Sequence, residues 1–448
     1  MKFPFDKFKK NKNNINDTNA SSANEKNDGG AEEKDKYAFI KKVGRFFSPE
    51  PQREKVLRHE DFNAAGDSYY ATVAVGYKIT QRFLALFLVV FLLFSFITNY
   101  REITFDNFFY LMKEFTSAAD TENSNYETLS YDSDPRHVFA IYRGGVAVVN
   151  PSRTSLYTAT GRKALDLVST FSAPCIETSN KYVLVYDTAG DTFSVYNSLS
   201  RIFTKTFDYP ITDAHIDDDG GFAVVTRGEA TQSSRIYVYN KNFKAYAMIP
   251  MNKYAFDVKI SKALDRIVGV YYGSGSGVGL TTLSVRKYSD PTGELINLNI
   301  SGEFPLAFGF LENGKSALVT DSSIRIYDSS FEEINTYEYS NVSVTGFSLD
   351  KEGGAISYVD DSKNMVIAFD KNGNLLYNDN VYRNVTDIGV YGRYIFIRTE
   401  SGVIRLDSKA TTEEELLSDQ GKMLVYDENT ALICGTSKAE YLVFEDKN

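Results

Sequence analysis

Tryptophan is absent from the 448 residues, cysteine occurs twice and histidine three times. Two cysteines, Cys175 and Cys434, do not make a disulfide scaffold, and strand-like patterns around both favour two separate thiols over one bridge. His59, His137 and His215 form no pair at metal-ligand spacing. With no H-E-x-x-H and no C-x-x-C, a histidine-based zinc site is not expected. Positive charge is also in deficit: 49 Lys and Arg stand against 59 Asp and Glu. An acidic chain lacks the clustered cations that track phosphates, so nucleic-acid binding is not expected.

Charge disappears altogether from Phe83 to Tyr100 (FLALFLVVFLLFSFITNY). As a helix these residues rise about 27 Å, close to the thickness of a hydrocarbon core, and they predict one transmembrane helix over 83–100 with Phe83, Leu88, Val90, Leu93 and Tyr100 in the lipid bilayer. Residues 1–82 carry 16 Lys and Arg against 12 Asp and Glu; the remainder carries 33 against 47. The excess of cations before the span, with Lys78 and Arg82 next to it, keeps the N-terminus cytoplasmic and sends the bulk of the chain across the cell membrane.

The tail 1–82 is poor in branched apolar residues over 9–36 and is expected to be mostly disordered. Lys36 to Phe47 (KYAFIKKVGRFF) reads as a basic amphipathic segment suited to the inner leaflet or to a cytoplasmic protein. Beyond the span, 101–125 reads as a juxtamembrane segment and linker.

From 126 to 448 the chain repeats. Eight hairpin-like units of alternating β-branched and aromatic residues start at HVFAIYRGGVAVVNPS (137) and end at ALICGTSKAEYLVFED (431). Aligned on Val148, Val195, Val238, Val285, Ile326, Ile367, Ile404 and Val443, they recur every 47, 43, 47, 41, 41, 37 and 39 residues. A period near 40 made of strands predicts an all-β propeller. Short segments before the hairpins (AHIDDDG at 214, DIGVYGR at 387) supply an inner strand; segments after them (KAYAMI at 244, INTYEY at 334) supply an outer one. About eight four-stranded blades result, with Tyr126 to Asp132 (YETLSYD) as the first inner strand. If that segment instead completes the last blade, seven blades and a distorted unit remain. The pairs Asp219-Gly220, Asn313-Gly314 and Asn372-Gly373 predict tight turns with positive φ. The neighbouring acid runs Asp217-Asp218-Asp219 and Asp370 to Asn374 lack the order of a calcium loop.

The strand ends YVYN and RIYD (Tyr237 to Asn240, Arg325 to Asp328) resemble the repeats of irregular, YVTN-like propellers of surface-layer type, which lack tryptophan–aspartate pairs. The whole plan of tail, span and propeller is similar to an uncharacterised family of membrane proteins of clostridia-type bacteria, and that resemblance implies no activity. Quinone-dependent propeller dehydrogenases dock their blades through tryptophan, which this chain lacks, so no cofactor is expected. The Gly273 to Gly277 run (GSGSG) has neither a following helix nor a Lys-Ser/Thr and reads as a hairpin loop.

No catalytic motif is found, and the chain is not expected to be an enzyme. The expected role is a protein- or glycan-binding scaffold of the cell envelope, with Tyr271, Tyr272 and Tyr391 beside Gly-rich turns as candidate contacts. The alternative is an envelope hydrolase or lyase using carboxylates of the inner strands. Asp213, Asp257 and Asp387 have the right positions, though an Asp there also suits a purely structural role as acceptor of backbone N–H bonds.

Overall fold

The computed structural model describes residues 67–99 and 128–444, apart from 230–232, 276, 294–295, 340–341, 408–411 and 417–420. The expected disordered stretch, the amphipathic segment 36–47 and the linker 101–125 lie outside them.

Among the described residues the first unit is one helix, α1 (Asp67–Asn99). It starts well before the apolar run because Asp67 to Thr80 contains no proline and no break other than Gly76, and at 1.5 Å per residue it rises about 50 Å. Its window Gly76–Phe94 has a mean hydropathy of 1.7 and none of it is buried. Phe83, Leu88, Val90 and Leu93 are all more than half exposed. Length and composition are those of a single membrane-crossing helix; Tyr100 lies outside the described residues.

The second unit is a propeller of eight four-stranded antiparallel blades. Alternation of apolar and polar residues makes each strand two-sided, and each blade buries both faces against its neighbours. The result is eight separate apolar clusters, one per blade interface. Aromatic rings do much of the filling in place of tryptophan: between blades 2 and 3, Phe222 stacks on Tyr239 at 4.5 Å and meets Phe193 edge-on at 5.5 Å.

Blades 2 to 7 follow the expected strand order, for example Ile211–Ile216, Phe222–Arg227, Ser234–Tyr239 and Ala245–Met251 in blade 3. The ends of the repeat differ from expectation. Val138–Tyr142 and Gly145–Val149, which the hairpin pattern predicts as the second and third strands of blade 1, are its innermost and second strands. Arg153–Tyr157 and Lys163–Val168 complete that blade. Leu129–Ser130, out of the supposed first inner strand, instead closes blade 8, pairing with Ala439 and Lys438 beside the C-terminal strands Lys422–Val425, Thr430–Cys434 and Lys438–Val443. Arg153 and Ser155 interrupt the apolar alternation of the true third strand, so its sequence carries no clear strand signal. The number of blades is unchanged because one strand moves from the start of the ring to its end.

The third strands of blades 3, 5 and 6 end in a shared device. The ladder shifts register at Tyr239, Tyr327 and Phe369, turning an aromatic side chain under the blade. The following Asn240, Asp328 or Asp370 then accepts two backbone N–H bonds of the turn. That local acceptor duty also occupies Asp370 of the second acid run. The turn needs a left-handed residue: Gly373 supplies it at φ 74, and Phe243 and Phe331 adopt it at φ 59 and 63. Gly220 and Gly314 are at φ 89 and 79, as their sequence pairs predict.

The two cysteines are free. Cys175 lies on the innermost strand of blade 2, and Cys434 on the second strand of blade 8, with blade 1 between them. Burial pushes the Cys434 thiol up to about 12. Titration of the native protein with a thiol reagent at pH 7.5 is therefore expected to leave Cys434 unmodified until denaturant is added, because the reactive thiolate is scarce and shielded.

Candidate functional site

Each innermost strand begins on one face of the ring and ends on the other, so position along it fixes the face. In blades 3, 4 and 7 the innermost strand carries a bulge immediately before an acid, at Asp213, Asp257 and Asp387. The extra residue turns the carboxylate sideways, toward the next blade. Asp213 accepts the Val258 N–H at 2.8 Å, Asp257 the Phe308 N–H at 3.3 Å and Asp387 the Met423 N–H at 3.0 Å. These bonds stitch blade 3 to 4, 4 to 5 and 7 to 8. Blades 5 and 6 have Ala307 and Gly346 after the same bulge. The three acids picked out by sequence thus share a structural task.

Two of them also belong to a charged cluster that spans three blades. Lys259, on the innermost strand of blade 4 (Tyr254–Ser261), places its Nζ 3.6 Å from Asp257 and 3.7 Å from Glu177. Glu177 belongs to blade 2 (Pro174–Thr178), so the lysine reaches past blade 3. Asp213, on the intervening blade 3, receives the Tyr186 hydroxyl at 3.1 Å. The side chains of Lys259, Asp257 and Glu177 are 20%, 14% and 30% exposed, enclosed by strands yet still in touch with water. Burial raises Asp213 well above the usual carboxylate range, and the neighbouring Asp257 adds to this. Burial raises Glu177 too, against the pull of Lys259. Burial alone would lower Lys259, but Asp257, Glu177 and Asp213 hold its ammonium above the ordinary lysine value. Farther along blade 3, His215 accepts the Ile260 N–H at 3.2 Å through Nδ1, and burial followed by the Lys259 charge keeps it neutral. Chemically the cluster can hold and exchange protons. Lys259 and Glu177 carried no sequence signal beyond their strands, since a charged residue inside a strand ordinarily marks a solvated face.

The tyrosines expected at a contact surface fall apart in space. Tyr271 is not on a loop: it is 1% exposed and packs in the interface of blades 3 and 4. Strand Arg266–Gly275 runs farther than the glycines imply, and consecutive strand residues face opposite sides, so one of the pair had to point inward. Tyr272, its half-buried partner, pairs across the ladder with Tyr254. Tyr391 ends the innermost strand of blade 7, on the opposite face, where with Asp427, Glu428, Asn429 and Thr430 it lines a shallow cavity of about 490 Å³.

Around Tyr272 the structure assembles a surface that sequence reasoning missed. Tyr254 is 68% and Phe256 42% exposed; Phe304 meets Phe256 edge-on at 5.4 Å and Tyr272 at 4.8 Å. Above them the hairpin of Arg266–Gly275 and Val278–Arg286 projects past its flanking strands, with Val278 48% exposed at its tip. No single segment encodes this cluster. It combines the starts of two innermost strands with a hairpin, and only ring geometry brings those together.

A family model described as a family of unknown function (DUF5711) matches residues 115–441. No curated protein sequence matches the chain. Among solved structures it is similar to BamB from Moraxella catarrhalis (11% identity, TM-score 0.47, 70% of this chain and 99% of that one) and to the WD40 domain of SCAP from fission yeast (12%, 0.47, 70% and 97%). It is also similar to the WD40 domain of Pan2 from Neurospora crassa (8%, 0.43, 71% and 96%). At these identities the likeness concerns the fold alone.

Proposed function

The chain belongs to this family of unknown function, and from its own geometry we propose that it is a membrane-tethered propeller that binds a protein or glycan partner at the cell envelope. The carrying observation is the aromatic cluster of exposed Tyr254 and Phe256 with half-buried Tyr272 and Phe304 under the projecting hairpin of blade 4. Aromatic side chains gathered on a rigid ring, with little rotamer freedom to lose, are the usual anchors of recognition. Tethering rests on α1, and the extracytoplasmic side on the cation excess that precedes it.

A membrane-impermeant crosslinker applied to intact cells, followed by mass spectrometry, tests both parts. The wild type is expected to yield a dominant adduct through the propeller, and the double variant Tyr254→Ser/Phe256→Ser to lose it while keeping its fold, because both residues lie at the surface. No adduct, or an identical one in the variant, overturns the reading.

One observation favours the second reading, an envelope hydrolase or lyase: Glu177, Asp213 and Asp257 do gather around Lys259. Against it, two of these acids already accept backbone N–H bonds of neighbouring blades. Under that reading Glu177 is the acid left to act, and turnover of an envelope glycan by the intact protein would distinguish an enzyme from a binder.

A further inference from the structure

We propose that the cluster of Glu177, Asp213, Asp257 and Lys259 is a proton-operated latch, in which one retained proton sets how firmly blades 2, 3 and 4 are held together. This goes beyond partner binding and stands on different residues.

Two carboxylates, Glu177 and Asp257, pair with one ammonium, and a third, Asp213, acts on it electrostatically, in a part of the ring enclosed by innermost strands. Fully ionised, the group has a net charge of −2, and each acid comes from a surface that another blade must approach. Retaining one proton halves that charge without breaking a bond: a protonated Asp213 still accepts the Val258 N–H on Oδ2, while Oδ1 can exchange donor and acceptor roles with the Tyr186 hydroxyl. Asp213 is where the three blades converge, because Tyr186 belongs to blade 2, Val258 to blade 4 and Asp213 itself to blade 3. The surrounding ionisable groups do not replace this proton. On blade 2, Cys175 bonds Thr188 at 2.9 Å and Tyr186 is raised by burial and then by Asp213. On blade 3, His215 is kept neutral, and on blade 8, Lys422 acts on Glu177 only as a minor influence. The folded ring therefore holds the proton more tightly than separated blades would, and opening releases it.

The sign follows. Asp213 and Glu177 are raised in the folded state, so their contribution to closure is complete below the ordinary carboxylate values and is lost as pH rises through the folded ones. Local opening becomes easier with rising pH, with a limiting slope of about tenfold per pH unit for one proton.

Amide hydrogen exchange of the full-length protein in detergent, read by mass spectrometry from pH 5 to 9 and divided by the intrinsic rates, measures this directly. Peptides covering Ile211–Ile216 and Tyr254–Ser261 are expected to lose protection with rising pH several-fold more than strand Ser316–Thr320 of blade 5, which has no ionisable side chain. Asp213→Asn, neutral at every pH and still an acceptor, is expected to flatten the slope. Flat protection in the wild type, or an undiminished slope in Asp213→Asn, overturns the latch. Should that variant not fold, Glu177→Gln serves: removing one repelling charge lowers the proton affinity of Asp213 in the folded ring, so the loss of protection must level off at a lower pH, and an unmoved end point overturns the proposal.

Discussion

Replacing Lys259 by methionine is expected to lower the stability of the propeller by about 3 kcal/mol at pH 8 and by clearly less at pH 5. Methionine keeps the apolar stem, so the change removes the ammonium and little volume. Glu177 and Asp257 then lose the cation at 3.7 and 3.6 Å, and Asp213 loses a shared counter-ion. Removing one partner of a buried ion pair costs about 3–5 kcal/mol, because the remaining charge stays desolvated. The lower end applies here, since Glu177 is 30% exposed and water can screen it. The pH dependence separates this cause from lost packing. Carboxylates without their cation take up protons more readily, which relieves the repulsion in acid, whereas a packing defect is the same at both pH values. The lysine's own raised value adds a contribution that is intact below the ordinary lysine range and lost only above it, so it does not distort the comparison. Urea unfolding of the full chain in detergent, followed by tyrosine fluorescence undisturbed by tryptophan, gives both values. Equal losses at pH 5 and pH 8 would show that Lys259 acts through its stem alone.

The sequence announced blades far better than the places where blades touch. Strand alternation and a period near 40 residues are local, additive signals, and inner and outer segments such as AHIDDDG and INTYEY fall where they were placed. Ring closure is not local. Leu129–Ser130 pairs with residues more than 300 positions away, and nothing in its own side chains distinguishes a closing strand from a first strand. The same holds for the axis. Asp213, Asp257 and Asp387 stood out by position because an acid next to a bulge has a physical reason to be there, but Lys259 and Glu177 acquire meaning only when blade 2 is brought past blade 3 to blade 4. Tyr271 shows what residue type leaves out: the strand continues through Gly273, Ser274 and Gly275, so Tyr271 and Tyr272 alternate sides and Tyr271 turns inward.

Exchanging Leu88 and Val90 for aspartate is expected to release the protein from membranes while leaving the propeller folded. Both side chains are 55% exposed, and none of the window Gly76–Phe94 is buried, so their loss takes nothing from a protein core. What they lose is the bilayer. An aspartate near the centre of a span costs about 2.5–3.5 kcal/mol on insertion scales, and two of them cost about 6 kcal/mol together. Favourable apolar residues contribute only about 0.3–0.6 kcal/mol each. The Leu and Phe of FLALFLVVFLLF therefore cannot offset both charges, and snorkelling is closed to so short a side chain. Carbonate-washed membranes should retain the wild type and lose the double variant, with unchanged thermal unfolding of the propeller as the control. If the variant stays with the membrane, the anchoring is carried by the basic amphipathic residues 36–47. Their attraction to anionic lipid is electrostatic and would be stripped by high salt, whereas the hydrophobic insertion of α1 would not.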